Sequence, residues 1–233
     1  PSSPEHELGE SLAGGGDVNG DGFDDLLLAS PDKPDGGVVY LLLGPGPGPG
    51  TWEVDEIAAA SFHGIDENDD AGRGLDLAGD LDGDGYDDVV IGAPEYSPSW
   101  EIDGAVFLFH GHPAGWAAQT SLADSDASWL SEDDTEDAGQ AVSTGGDIDG
   151  DGLDDLVVAA PYDDEIASNS GEVFVILGRP GGWAGEDSLA AADASVRGGA
   201  EQEHLGQVIS TAGDVDGDGF DDLLIGAADY QGE

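Results

Sequence analysis

The sequence contains no cysteine and no methionine, and only 4 of its 233 residues are Lys or Arg. Without cysteine, neither a disulfide framework nor a thiol nucleophile is available. So few cations cannot build the clustered phosphate contacts that nucleic acid requires, nor hold the chain on an acidic membrane surface. Long apolar runs are missing too, so no transmembrane span is predicted. With no methionine and Pro1 in first place, the chain reads as a processed product or an excised piece, any signal peptide having gone. What is present in excess is acid: 53 Asp and Glu give a formal net charge of -49.

Acidity of this order is a mark of disordered chains, but those lack regular apolar runs. Here Leu26–Leu28, Val38–Leu43, Val89–Ile91 and Val173–Leu177 are short apolar stretches bounded by Gly, Pro or Asp. They predict buried strands joined by turns. No segment carries a long helical period with caps, so the predicted class is all-β.

One segment occurs four times: Asp17–Asp25 (DVNGDGFDD), Asp80–Asp88 (DLDGDGYDD), Asp147–Asp155 (DIDGDGLDD) and Asp214–Asp222 (DVDGDGFDD). Its first Asp recurs after 63, 67 and 67 residues. Eight residues before it stands a Gly (Gly9, Gly72, Gly139, Gly206), followed three residues on by an aliphatic (Leu12, Leu75, Val142, Ile209). After the loop comes an apolar run, and in the first three repeats a Gly-x-Val run, a Trp (Trp52, Trp116, Trp183) and an Ala-Ser-apolar step (Phe62, Trp129, Val196). A full repeat therefore predicts four antiparallel strands, the signature of a β-propeller blade, over residues of about 8–65, 71–131 and 138–198, with a partial blade at 205–233. Three and a half blades fall short of the roughly 4–8 of a closed ring. The expectation is a single propeller segment completed by the remainder of a longer chain or by another copy; two copies would total seven blades, and a head-to-tail series would form a filament.

Each acidic loop reads DxDxDGxxD. Carboxylates at positions 1, 3, 5 and 9 and the backbone carbonyl at position 7 converge only around a hard cation bound by six to eight oxygens, and Ca²⁺ suits that set. The candidate ligands are Asp17, Asn19, Asp21, Phe23 and Asp25; Asp80, Asp82, Asp84, Tyr86 and Asp88; Asp147, Asp149, Asp151, Leu153 and Asp155; and Asp214, Asp216, Asp218, Phe220 and Asp222. About four calcium sites are expected. Mg²⁺ fits less well because it demands rigid octahedral geometry, and Zn²⁺ lacks its Cys and His ligands. Gly at position 6 suits the sharp turn. The pattern opens like an EF-hand loop, but position 12 is aliphatic (Leu28, Ile91, Val158, Ile225), so the loop joins strands and not helices. Asn19 brings no charge, so the first site is expected to be the weakest. Asp24, Asp87, Asp154 and Asp221 at position 8 read as exposed or loop-bracing carboxylates.

The combination of Gly-x-x-aliphatic, GD(V/I/L)(D/N)GDGxDD and (I/V/L)xGAP resembles FG-GAP repeats, which build the N-terminal propeller of integrin alpha subunits and of many bacterial extracellular proteins. "FG" appears here as Leu-Gly or Ala-Gly, and "GAP" in full only at Gly92-Ala93-Pro94. The resemblance implies calcium in the loop between the first two strands of each blade. It also implies an extracellular or cell-surface role in adhesion, protein interaction or assembly.

Other features point less sharply. The loops hold 19 of the 53 acidic residues; the rest, as in Asp66–Asp70, Glu132–Asp137 and Asp163–Glu165, reads as a solvated face. His6, His63, His110, His112 and His204 show no repeated metal spacing, and no GxSxG elbow exists, so no enzyme is predicted. The in-register Trp set reads as inter-blade packing; a carbohydrate-binding propeller is the alternative, along with a fragment of a propeller polysaccharide lyase or other secreted enzyme. Gly44–Gly50 (GPGPGPG) predicts an extended turn between strands three and four.

Overall fold

A computed structural model of the chain describes residues 8–77, 79–98, 104–131, 137–144 and 146–228. The strands β1 (Leu12–Gly14), β2 (Leu26–Ser30), β3 (Val38–Leu42) and β4 (Ala60–His63) pair antiparallel in that order. The second repeat builds the same unit from β5 (Leu75–Leu77), β6 (Val89–Ala93), β7 (Ala105–Phe109) and β9 (Ala127–Leu130). The third uses β10 (Ala141–Thr144), β11 (Leu156–Ala160), β12 (Glu172–Ile176) and β14 (Ala194–Arg197). The fourth is the hairpin β15 (Leu205–Gly213) and β16 (Asp222–Ala227). Each acidic loop joins the first two strands of its sheet, and each Ala-Ser-apolar step is the fourth strand. These are the blades of a partial β-propeller.

The sheets carry one feature that the four-strand expectation omits. The short strand β8 (Thr120–Ser121) belongs to the second repeat but runs parallel to β4 of the first sheet. Likewise β13 (Gly185–Ser188) of the third repeat runs parallel to β9 of the second. After its third strand, each chain segment swings past the outer edge of the preceding blade before returning to its own. The edge strand, an open hydrogen-bonding template otherwise, is thereby covered.

Alternation along the strands distributes the core. In β6, Val89, Ile91 and Ala93 pack with Leu27, Ala29, Val39 and Leu41 of the first blade. The intervening Val90 points the other way, packing with Leu156, Val158 and Ala160 of the third. Val157 and Ala159 then meet Ile209, Leu223 and Ile225 of the fourth. Middle blades are thus buried on both faces, which is why their strands are continuous apolar runs although the pairing is antiparallel. Most of the acid lies elsewhere, in loops at the strand ends; Asp76 of β5 and the buried Glu172 of β12 are exceptions. Residues 132–136, His6, and the chain end at Gly232 and Glu233 lie outside the described residues.

Candidate metal centres

The four acidic loops share one backbone trace, held by their own side chains. In the second loop, Asp80 Oδ1 accepts the N–H groups of Gly83 (2.7 Å) and Asp84 (3.0 Å), and Oδ2 accepts that of Gly85 (2.9 Å). Asp82 Oδ1 accepts from the Asp84 N–H, and Asp84 Oδ1 from the Tyr86 N–H. The same bonds recur around Asp17, Asp147 and Asp214. Position 6 turns the chain at a φ of 88° to 97° (Gly22, Gly85, Gly152, Gly219), a region open to glycine.

These turns gather the carboxylates. Ligand oxygens of Asp80, Asp82 and Asp84 lie within 4.8 Å of one another, as do those of Asp147, Asp149 and Asp155, and of Asp214, Asp216 and Asp218. In the first loop Asn19 replaces a carboxylate; its Oδ1 accepts the Asp21 N–H, as the Asp82 oxygen accepts that of Asp84. Among the described residues, the clusters able to supply three carboxylate or imidazole ligands consist of aspartate alone. A set of close carboxylates repels itself unless a cation sits among them. An all-oxygen set of this density suits a hard divalent ion and offers no soft ligand.

Position 9 does more than the sequence indicates. Asp25, Asp88 and Asp155 are buried. Each accepts the N–H of position 2 through Oδ2 (Val18, Leu81, Ile148) and the N–H of the glycine after the third strand through Oδ1 (Gly44, Gly111, Gly178). One carboxylate thus ties the loop to two strand ends. Burial pushes all three carboxyls above their usual value, against the pull of hydrogen-bond donors, and neighbouring loop carboxylates add to the rise. A bound cation reverses that balance.

At position 8, Asp87, Asp154 and Asp221 brace the loop of the preceding blade, as the loop-bracing reading expects, while Asp24 in the first blade is exposed. Asp87 Oδ2 accepts the Asp17 N–H at 2.6 Å, Asp154 Oδ2 that of Asp80 at 3.0 Å, and Asp221 Oδ2 that of Asp147 at 3.2 Å. The N–H groups of Asp87, Asp154 and Asp221 donate back to the carbonyls of Asp17, Asp80 and Asp147. The sequence signal was the period itself: a residue kept in all four loops without a ligand's position.

His110, one of the five histidines without a repeated metal spacing in the sequence, also stands at a loop. Its Nδ1 lies 3.4 Å from Asp88 Oδ1 and 3.5 Å from Asp82 Oδ2. The hydrogen bond to Asp88 leads in raising its pKa to about 9. Two of the three in-register tryptophans pack between blades as expected, and Trp52 is the exception. Trp116 packs edge-on against Phe62 of the preceding blade (5.8 Å, 69°) and Trp183 against Trp129 (5.5 Å, 75°), while Trp52 is half-exposed.

The fold and loops define a partial β-propeller with aspartate-lined corners. The FG-GAP repeat pattern matches residues 8–42, 71–109, 138–176 and 206–233, and the chain belongs to the FG-GAP repeat family. It is 36% identical over 189 residues to integrin alpha-PS2 of Drosophila melanogaster, covering 74% of this chain and 12% of that protein. It is 28% identical over 222 residues to integrin alpha-4 of Xenopus laevis, covering 94% and 20%. It is also 27% identical over 237 residues to a phosphatidylinositol-glycan-specific phospholipase D of Dictyostelium discoideum, covering 93% and 24%. The chain therefore spans a quarter or less of the length of these relatives. No described helix is long and apolar enough to cross a membrane.

Proposed function

We propose that each of the four loops holds one Ca²⁺ and that the chain is a non-catalytic module for adhesion or protein interaction outside the cell. The observation that carries the metal reading is the convergence of three carboxylates within 4.8 Å in three loops built on one backbone trace. The ligands are the residues at positions 1, 3, 5 and 9 with the carbonyl at position 7, in the numbering given above for all four loops. The ion's role is structural: it joins the first two strands of each blade at their open end. Metal that binds only the folded state adds its binding free energy to folding.

The adhesion reading rests on the integrin relatives, and the extracellular setting on the same likeness and on millimolar-range calcium modules being an extracellular solution to this chemistry. The phospholipase activity in the name of the Dictyostelium protein belongs to that protein. Titration calorimetry with CaCl₂ tests the metal reading: about four ions per chain are expected, and Asp82→Ala with Asp84→Ala removes one of them. Heat-free titrations, or a stoichiometry untouched by that pair of substitutions, contradict it.

A further inference from the structure

The first acidic loop differs from the other three in reactivity as well as in charge. Asn19 stands at position 3, where the others carry Asp82, Asp149 and Asp216, and Gly20 follows it. The chain has two more asparagines, Asn68 and Asn169, which precede Asp69 and Ser170. A glycine has no side chain to crowd its nitrogen, so an Asn-Gly step is the most open to attack of that nitrogen on the preceding amide carbon.

The hydrogen bonds of the loop arrange this attack. The Gly20 N–H donates to Asp17 Oδ1 at 2.8 Å, which draws the proton away from the nitrogen. The Asn19 side-chain carbonyl accepts the Asp21 N–H at 2.9 Å, so a donor already stands where negative charge gathers on Oδ1 as the nitrogen adds. The Asn19 amide nitrogen lies 3.4 Å from Asp21 Oδ2. Asn19 is half-buried and Gly20 exposed, so water reaches the step. The second loop repeats both backbone bonds, from Gly83 to Asp80 Oδ1 (2.7 Å) and from Asp84 to Asp82 Oδ1 (3.0 Å). There, however, position 3 is a carboxylate, which resists the nucleophile and has no amide to lose.

We propose that Asn19 is a self-modification site, converted by its own folded loop to aspartate and isoaspartate through a cyclic imide. The Gly20 nitrogen attacks Asn19 Cγ. The N–Cγ bond forms and the Cγ–Nδ2 bond breaks. The Gly20 proton, relayed by the Asp17 carboxylate and water, departs with the amide as ammonia. Water then opens the imide, and nothing is oxidised or reduced. Cleavage of the new N–Cγ bond leaves aspartate in an ordinary backbone. Cleavage of the other carbonyl–nitrogen bond leaves isoaspartate, with the backbone lengthened by the side-chain methylene. The first product gives this loop the acid of the other three, while the second disturbs the turn that Asp17 organises. A gain in calcium affinity from the aspartate product rests on the calcium reading. The conversion itself does not, and it is tested without the metal so that the two fail separately.

The experiment is peptide mass mapping of the folded chain, held in chelator at mildly alkaline pH, beside the same chain in denaturant. Circular dichroism reports that the fold persists. A gain of about 1 Da, OH in place of NH₂, is expected at Asn19, with Asn68 and Asn169 unchanged over the same period. Conversion in the folded chain should run about tenfold or more ahead of that in denaturant, a barrier lower by about 1.4 kcal/mol. Conversion no faster when folded overturns the proposal. Asp17→Asn keeps an acceptor but removes the charge, and should slow the folded chain by about tenfold or more while leaving the rate in denaturant unchanged. Equal folded rates in variant and wild type overturn the part given to Asp17; if the variant loosens the loop, the folded and denatured wild type decide alone. Enzymatic methylation specific for isoaspartate should mark the product peptide. Aspartate as the sole product means direct hydrolysis and overturns the imide.

Discussion

The carboxylates of this chain do three different jobs within nine residues, and position decides which. Position 1 organises the turn by accepting three N–H groups, position 9 staples the turn to the third strand, and position 8 reaches across to the neighbouring blade. Asp154→Ala leaves the Asp80 N–H without its acceptor, and a hydrogen bond to a charged group contributes about 1.5–3 kcal/mol. Denaturant melts should show a loss of that order, with calcium binding at the second and third loops retained. Asn19→Asp adds the missing charge to the first loop, and calorimetry should show its affinity rising towards that of the other three. A pH effect belongs to Asp76, whose carboxylate accepts the Thr144 N–H (2.8 Å) of the next blade. Burial pushes its pKa up, against the Thr144 and Leu77 donors. The folded chain then holds this proton more tightly than the unfolded one. Stability from this group falls as pH rises between the unfolded and folded values, and the penalty is complete above the folded one. The difference between Asp76→Asn and wild type should therefore shift in the variant's favour as pH climbs from about 4 towards neutrality; a difference constant with pH contradicts the assignment.

At the scale of strands, burial on one face or two separates inner from outer blades. Leu108 in β7 is fully buried between the second and third blades, while Leu224 in β16 is 64% exposed on an outer face. Leu108→Ala should cost about 2–5 kcal/mol, and Leu224→Ala in the isolated chain should stay within about 0.5 kcal/mol. Equal costs would mean that Leu224 is buried in the folded chain. The elements themselves were legible from the sequence: four loops, the strands on either side of each, the Gly-x-Val third strand and the Ala-Ser-apolar fourth all stand where the repeat predicts. Trp116 and Trp183 were legible as packing residues because they keep register. What the sequence hid lies between repeats. Strands β8 and β13 are short, polar and without alternation, and they form only because a neighbouring edge is there to pair with. The reach of Asp154 to Asp80 spans 74 residues, and nothing local distinguishes its carboxylate from that of a solvated loop. His110 was missed for the same reason, since its partners Asp82 and Asp88 come from an earlier loop.

For the molecule as a whole, the question is how a chain of net charge -49 stays folded. The blades keep most of their acid at loop ends and concentrate part of it at the corners between the first two strands; the carboxylates that are buried there, such as Asp88 and Asp155, are held by backbone N–H donors. There a divalent ion can turn mutual repulsion into a cross-link. Arg73 works in the same direction on a small scale, joining Glu10 of the first blade and Asp70 (2.8 Å). Calcium at the corners would stiffen each blade's open end and, through the position-8 braces, its neighbour's as well. Binding at 100 times the dissociation constant adds about 2.7 kcal/mol per site. For a domain of this size about 1 kcal/mol moves the melting temperature by 2–4 °C.

The most direct test is thermal unfolding of the chain with calcium, after removal of calcium by a chelator, and after calcium is restored. The melting temperature should fall by about 5 °C or more on chelation and return on restoration, given even one site's contribution. A melting temperature indifferent to the chelator, in a chain that remains folded throughout, would contradict the claim that metal holds these corners.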